Sequence, residues 1–111
     1  MQYLLLIYED EKRFANGFPE DEFAEYGAFG QKHAAAIKAG HALEPTCAAK
    51  TIRVRDAQAV TTDGPFAETK EQLGGFYLID ANSIDEAAKM AAGIPAARYG
   101  SIEIRPIMVF S

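Results

Sequence analysis

The residues most able to do chemistry are carboxylates, and Asp63 comes first among them. Asp63 ends a predicted strand and precedes the Gly64-Pro65 turn. At such a strand end a carboxylate could act as a general base if burial raised its pKa. Asp side chains also bond readily to the backbone two residues on, so Asp63 could simply cap the turn. Both interpretations stay open.

Glu71 is the second candidate for proton transfer, with Glu68 three residues before it. The segment from Ala67 to Gln72 is predicted to form a short helix, which would place the two glutamates on one side of a helical turn. Such a pair could share or pass a proton. The alternative is a solvated charged face, and we expect that structural role for Glu68.

Three charged strand residues could hold a substrate. Strand alternation sends Glu103 and Arg105 to one face of the last strand, and Arg53 to the corresponding face of an earlier strand. An arginine facing a cavity could bind a substrate carboxylate through two hydrogen bonds. The competing interpretation is an internal ion pair of Glu103 with Arg105 or Arg53.

The remaining polar candidates are weaker. Tyr8 and Tyr77 could donate phenol hydrogen bonds to a ligand, although buried tyrosines commonly just pack. His33 is predicted to be exposed on the first helix, and His41 to follow that helix as a cap or weak pH-sensitive group. Cys47 has only Lys50 nearby, which argues against a catalytic thiolate.

Composition excludes several classes of function. The chain has 111 residues, 49% hydrophobic and 24% charged, with a formal net charge of -5. One domain over residues 1–111 is expected, and the charge argues against nucleic acid or an anionic membrane surface as partner. A single cysteine favours a reducing, cytoplasmic location. No residue pattern calls for a cofactor or metal, which leaves small molecules and proteins as partners.

The elements that must position these residues are short. An apolar first strand is predicted from Tyr3 to Tyr8, and a hairpin turns at Asp56-Ala57. A first helix should begin at Pro19 and stop at Gly40, with Gly27 and Gly30 close to a sheet. Its predicted buried stripe comprises Phe23, Tyr26/Gly27, Gly30, Ala34 and Ile37.

The second half of the chain repeats the pattern. Gly74-Gly75 should open a strand through Asp80, and Ser83 should cap a second helix with Ala87, Ala88, Ala91 and Ile94 on its packed face. A last strand is predicted from Ser101 to Phe110, where Pro106 indicates an edge.

The predicted order β-α-β-β-(short α)-β-α-β is that of an α+β protein, a ferredoxin-like split βαβ with an added strand in an antiparallel sheet. Both helices lie on one face of such a sheet. The other face is predicted to be apolar as well, so we expect a homodimer that packs sheet on sheet.

The stretch from Asp63 to Phe76, DGPFAETKEQLGGF, resembles the signature of the YCII-related proteins called DGPF proteins. The opening residues Tyr3 to Glu9, the Val54-Arg55 strand and the closing Ile102 to Pro106 extend the resemblance over nearly the whole chain. It implies a dimeric α+β barrel, a fold shared with muconolactone isomerases, and some relatives are encoded beside or fused to sigma factors. One branch is thought to use a His-Asp pair, which has no match here in His33 or His41.

Three functions compete at this point. The first is an enzyme acting on a small, for instance anionic, molecule, with Asp63 or Glu71 moving a proton and Arg53 or Arg105 holding the substrate. The second is a binding module, for instance a regulatory one, in which the same cavity holds a ligand without turnover or the dimer docks onto a sigma-factor-type partner. The third, a purely structural dimer, is less attractive because charges aimed into a cavity cost stability.

Overall fold

The computed structural model describes residues 1–110, which form an α+β protein with one main antiparallel sheet. The elements are β1 (Gln2–Glu9), α1 (Glu20–Lys32), β2 (Ile37–Ala42), β3 (Lys50–Arg55), β4 (Gln58–Asp63), β5 (Gln72–Asp80), α2 (Ile84–Ala91) and β6 (Ser101–Pro106). The main sheet has the order β2-β5-β1-β6, and β3 and β4 form a separate hairpin. This arrangement confirms the predicted ferredoxin-like split βαβ.

β1 lies at the centre of the fold, paired with β5 on one side and β6 on the other. Its side chains alternate between the two faces of the sheet, and Tyr3, Leu5 and Ile7 are buried on the face that carries the helices. Each buried aliphatic side chain of this kind stabilises the fold by about 1.5–3 kcal/mol. Other core residues come from the helices and the segments after them: Phe29, Ala87, Ala91, Ile94 and Ala96.

The first helix is shorter than predicted. It ends at Lys32, where the amide of the C-terminal cap His33 donates to the carbonyl of Phe29 over 3.1 Å. The last residues of the predicted helix, from Ile37 to Gly40, belong instead to strand β2. There Ile37 pairs with Ile79 and Gly40 pairs with Tyr77. Pairing with β5 satisfies the backbone of this segment and outweighs the helical preference of its alanines.

The predicted buried stripe of α1 is wrong in part, because Tyr26 and Ile37 pack against the core but Phe23 and Ala34 are exposed. Glu22 and Phe29 are buried, whereas Phe23 is 75% exposed. Gly27 and Gly30 do not mark a close approach either, because a Cβ at either position would meet nothing within 4 Å. A close contact occurs at Gly40, where a Cβ would lie 2.7 Å from Cδ1 of Tyr77.

The predicted hairpin is confirmed, with Asp56 and Ala57 at positive φ in its turn. The chain from Ala67 to Gln72 does not form the predicted helix. Gln72 and Leu73 are instead taken up by the ladder with β1, and β5 therefore begins two residues before Gly74.

A β-bulge interrupts the pairing of β1 with β5. Ile7 lies opposite Gly75 and Tyr8 lies opposite Leu73, so Gly74 has no partner in the ladder. The extra residue changes the phase of β5, because cross-strand partners share a face of the sheet. Gln72, the partner of Glu9, therefore points to the helix-bearing face.

The second helix begins as predicted. The hydroxyl of Ser83 accepts a hydrogen bond from the Glu86 amide over 3.1 Å, and Ala87, Ala91 and Ile94 are buried. Ala88, expected on the packed face, is exposed. β6 is an edge strand, as Pro106 indicated. It ends at Pro106 and not at Phe110, because its partner β1 begins at Gln2. The carbonyl of Gln2 accepts one further bond, from the amide of Ile107.

The face of the sheet that points away from the helices, hereafter the open face, has no layer packed on it within residues 1–110. Leu4, Leu6, Phe76 and Leu78 are half-buried there. The described chain measures 47 × 47 × 18 Å, with a radius of gyration of 15.9 Å. A compact domain of this length has a radius of gyration of about 13 Å, so the fold is flat and the hairpin protrudes.

Candidate functional site

Two buried glutamates share one arginine beside the end of β1. Arg13, in a short 3-10 helix that follows β1, pairs with Glu9 and reaches Oε2 of Glu22 over 2.8 Å. Glu9 and Glu22 are 7% and 4% exposed. The guanidinium also lies 3.8 Å from the ring centroid of Tyr99, in cation-π contact. We call Glu9, Arg13 and Glu22 the acid pair cluster.

The local sequence explains this placement. Glu9 continues the alternation of Tyr3, Leu5 and Ile7, so its side chain points to the helix-bearing face. Arg13 is four residues further on, and the carboxylate of Asp10 accepts from the Lys12 amide over 3.0 Å to start the 3-10 helix between them.

The charge of the acid pair cluster is unbalanced, since one guanidinium faces two carboxylates. Burial raises the pKa of Glu9, the nearby Arg13 lowers it, and the neighbouring carboxylates of Glu22 and Glu71 raise it further. Arg13 donates to Oε2 of Glu9, and among the described residues no donor reaches Oε1. Glu9 is therefore a carboxyl group with one oxygen left for a further partner and a proton affinity above the ordinary one.

Glu9 lines a pocket of about 660 Å³ between α1 and the helix-bearing face of the sheet. This volume lies within the usual range for small-molecule sites. The walls are the ends of β1 and β2, the beginning of β5 and the turn before α1. The lining residues are Ile7, Glu9, Glu11, Phe14, Phe18, Phe23, Tyr26, Gly40, His41, Ala42, Leu43, Pro45, Gln72, Gly74, Gly75, Phe76 and Tyr77.

Aromatic rings dominate the pocket. Phe14 stacks on Phe18 at a centroid distance of 5.3 Å, and Phe18 lies 6.1 Å from the ring of Tyr26. Burial raises the pKa of Tyr26, with Glu9 as the second cause, and burial also raises the pKa of Tyr77. Both phenols therefore stay protonated and can donate to a ligand. Tyr77 is thus one predicted binding residue that the structure places in the pocket.

A second acid of the pocket, Glu11, is fully engaged by neutral donors. Its two oxygens accept from the amide and the hydroxyl of Thr46 over 2.8 and 2.7 Å. These bonds tie the 3-10 helix after β1 to the chain beyond β2. Glu11 therefore holds the pocket wall in place and contributes negative charge that no cation neutralises in the described chain.

The predicted catalytic residue Asp63 lies elsewhere, at the end of β4. Its carboxylate pairs with Nζ of Lys50 across the hairpin over 2.7 Å, and its side chain is 86% exposed. The turn below it is held by the hydroxyl of Thr51, which donates to the carbonyl of Gly64. A catalytic role for Asp63 stays a prediction.

Glu71, the other predicted catalytic residue, is half-buried just before β5. Its Oε1 accepts from the hydroxyl of Ser101 over 2.8 Å, which ties the start of β5 to the start of β6. Its carbonyl accepts from the hydroxyl of Thr69. Glu71 is near enough to raise the pKa of Glu9, whereas Glu68 is exposed.

Three predicted binding residues lie together on the open face. Arg105 donates to Oε2 of Glu103 over 3.3 Å, which is the internal ion pair proposed from the sequence. Burial raises the pKa of Tyr8, and the carboxylate of Glu103 raises it further. Arg53 is not part of this group, because it lies on the exposed hairpin.

The histidines also differ from the sequence prediction. His33 is half-buried against Phe29, at a centroid distance of 4.7 Å, and burial lowers its pKa, with Lys32 as the second cause. His41 lies in β2 and packs edge-on against Phe76. Cys47 is exposed. Within residues 1–110 no group of three His, Cys, Asp or Glu residues could hold a metal, and no helix is both long and apolar enough to cross a membrane.

Sequence reasoning did not single out Glu9, Arg13 or Glu22. The alternation of β1 was the available signal, because it places Glu9 on the same face as the buried Tyr3, Leu5 and Ile7.

Known proteins share this sequence and this fold. An uncharacterised protein of Rhizobium meliloti (strain 1021) is 43% identical over 117 residues, covering 99% of this chain and 94% of its own length. The solved structure of 5-chloro-2-hydroxyhydroquinone dehydrochlorinase from Burkholderia phenoliruptrix AC1100, in complex with 2,5-dihydroxybenzoquinone, superposes with a TM-score of 0.59. It is 16% identical and the match covers 97% of this chain and 94% of that one, so the likeness concerns the fold. The YCII-related domain model matches residues 1–111, and the chain belongs to that family.

Proposed function

We propose that this protein binds a small organic molecule in the aromatic pocket and that Glu9 exchanges a hydrogen bond or a proton with it. One observation carries the proposal. Glu9 is a nearly buried carboxyl group with a raised pKa, and it lines a largely apolar cavity of about 660 Å³. Perturbed acids in clefts of this kind are typical of functional sites.

The chemistry available to Glu9 is general acid or general base catalysis. A carboxyl group whose pKa is raised is a better match for both accepting and returning a proton than an ordinary one. Arg13 holds Oε2, so Oε1 is the oxygen that would face a ligand. Tyr26 and Tyr77 line the same pocket, and the hydroxyl of Tyr26 bonds to the backbone of Ala96. Turnover would require proton transfer by Glu9, whereas binding alone would require the aromatic walls and a hydrogen bond with Glu9.

NMR chemical-shift mapping with 4-ethylphenol, a neutral aromatic probe, tests the proposal. We expect the largest shifts at the amides of Gly40 and Gly75, which line the pocket. Glu9→Gln should weaken binding, whereas the matched control Asp63→Asn should not, since Asp63 is 86% exposed on the hairpin. Shifts confined to the open face would contradict the assignment of the site.

The open face supports a second candidate site. Tyr8, Glu103 and Arg105 form a polar group at its β6 edge, next to the half-buried apolar residues of β1 and β5. A second copy of the chain covering this face would enclose them, and Arg105 could then hold an anionic molecule, with Asp63 or Glu71 as the predicted proton carrier. Arg53 would join only if its hairpin reached the partner.

The homodimer is therefore part of the proposal. The apolar open face, the protruding hairpin and the exposed C-terminal residues Ile107, Met108, Val109 and Phe110 all support it. We also propose the cytoplasm as the compartment, on the basis of the single cysteine.

The structural neighbour's ligand, 2,5-dihydroxybenzoquinone, is acidic and so suits the second site as a probe. If Arg105 holds anions, Arg105→Gln should abolish its binding while Glu9→Gln leaves it unchanged. The opposite pattern would place the acidic ligand in the aromatic pocket and remove the support for the second site.

A further inference from the structure

The charged side chains that line the aromatic pocket are all acidic. Glu9 and Glu11 line it, and within the described chain no lysine or arginine does. The nearest cation, Arg13, is shared between Glu9 and Glu22, so the acid pair cluster has a formal charge of -1 when both acids are ionised. The bonds from Thr46 to Glu11 are from neutral groups and leave its charge uncompensated.

An uncompensated negative charge in a buried place destabilises the fold, and the protein can neutralise it in two ways. It can take up a proton, which is the tendency that the raised pKa of Glu9 expresses. It can also take up a cation. Oε1 of Glu9 has no donor in the described chain, and it belongs to a side chain that is only 8% exposed.

The aromatic walls of the pocket also favour a cation, in addition to the negative charge of Glu9 and Glu11. Phe14, Phe18 and Tyr26 form a row of neighbouring rings on the same pocket. The ring of Phe14 already carries the Arg13 guanidinium, 5.1 Å from its centroid, which leaves Phe18 and Tyr26 for a ligand. The faces of aromatic rings carry negative potential and attract ammonium groups, which is how aromatic cages recognise organic cations. Aromatic walls with a carboxylate at one end are therefore complementary to a small ammonium ion with an apolar body.

We infer that the pocket is selective for organic cations, and that its ligand is a small aromatic or alkyl amine whose ammonium group donates to Oε1 of Glu9. This inference rests on the proposed function and narrows it to one class of ligand. It concerns this pocket alone, because the arginines that suggested an anionic ligand, Arg53 and Arg105, do not line it.

Three probes that differ mainly at one end test the inference: tyramine, 4-ethylphenol and 4-hydroxyphenylacetate. Titration calorimetry on the full chain should give tyramine an affinity about tenfold above 4-ethylphenol, from one charge-assisted hydrogen bond and the ring faces. The acetate should bind least. Glu9→Gln should reduce the preference for tyramine over 4-ethylphenol to about threefold or less.

A measurement on the unaltered chain guards against a variant that fails to fold. Tyramine should bind more tightly at about pH 7 than at about pH 5, because the ionised form of Glu9 is the one that holds the ammonium group. The other charged or titratable side chains near Glu9 are Arg13, Glu22, Glu71 and Tyr26, and Glu11 and His41 also line the pocket. Neutral 4-ethylphenol should show no such rise.

The outcomes separate the two proposals. If 4-ethylphenol shifts the pocket amides and binds as tightly as tyramine, the pocket is a ligand site but not a cation site, and the inference is overturned. Tightest binding by 4-hydroxyphenylacetate would also overturn it. If none of the three probes shifts the pocket amides, both the inference and the proposed function fail.

Discussion

Arg13 donates to Oε2 of Glu22 over 2.8 Å and thereby joins the 3-10 helix after β1 to the first turn of α1. Because the same guanidinium also pairs with Glu9, it connects β1, the 3-10 helix and α1 at one point. The aromatic pocket lies beside this point. The shape of the pocket therefore depends on a small number of buried charges as well as on apolar packing.

Replacement of Arg13 by methionine should destabilise the protein strongly. The change leaves Glu9 and Glu22 buried without their cation, a loss that for paired buried charges amounts to about 3 kcal/mol or more. Urea unfolding monitored by circular dichroism measures it. The loss should be smaller at acid pH, because a protonated Glu9 leaves less buried negative charge without its cation. A loss that did not depend on pH would contradict the electrostatic cause.

Glu9 should give the stability of the protein a recognisable pH dependence. Its pKa is raised in the folded state above the ordinary value of 4.5, chiefly by burial, with Glu22 and Glu71 adding to the rise and Arg13 opposing it. The folded state therefore holds a proton that the unfolded chain releases at the same pH. The resulting stability is fully present below the unfolded pKa and is lost as pH rises through the folded pKa.

The matched variant for this effect is Glu9→Gln, which cannot titrate. Thermal unfolding between about pH 4 and about pH 8 should show the decline with rising pH in the unaltered chain and a shallower one in the variant. The control Asp63→Asn should follow the unaltered chain, since Asp63 pairs only with an exposed lysine. Equal slopes in all three proteins would show that Glu9 does not keep its proton on folding.

Adjacent glycines provide a test of packing at the start of β5. A Cβ at Gly75 would lie 2.9 Å from the backbone oxygen of His41 in β2, whereas a Cβ at Gly74 would meet nothing within 4 Å. Gly75→Ala should therefore cost about 1–3 kcal/mol, because backbone must shift to admit it. Gly74→Ala should cost much less. Guanidinium unfolding of the two variants compares them directly, and similar losses would contradict the close β2 to β5 contact.

The proposed homodimer can be tested at the centre of the open face. Leu78 lies opposite Leu4 on this face, so Leu78→Lys would place an ammonium group in an apolar interface. We expect light scattering after size exclusion to report a dimer for the unaltered chain and a monomer for the variant. Lys89→Glu, which changes a charge on the exposed face of α2, is the control. A monomeric unaltered chain would remove the homodimer from the proposal.

Local signals predicted those parts of the fold whose structure is decided locally. The apolar run of β1, the turn at Asp56-Ala57 and the Ser83 cap lie where the sequence placed them. Helix α1 was predicted too long because Ala34, Ala35 and Ala36 continue a helical pattern. The pairing of Ile37–Ala42 with β5 is non-local, and no window around these residues contains its partner.

The candidate site was less predictable for a similar reason. Glu9, Arg13 and Glu22 are ordinary charged residues in the sequence, and charged residues are usually exposed. Their burial depends on how α1 lies over the end of β1, which is decided by packing between separate elements. Tyr77 lines the pocket, and its role in binding stays a prediction. Asp63 was interpreted from its turn, and its exposure follows from the hairpin lying apart from the main sheet.

The bulge at Gly74 makes the pairing register of β5 as important as its composition. With Gly74 present, polar Gln72 shares the pocket face with Glu9, and Leu73 points the other way. If Gly74 were instead paired with Tyr8 in a regular ladder, Leu73 would lie opposite Glu9 and face the pocket, and Gln72 would face away from it. A slip of one residue in the pairing there would thus exchange a polar wall for an apolar one without any change in the side chains themselves, which makes this position a natural point for relatives to diverge in the ligands they accept.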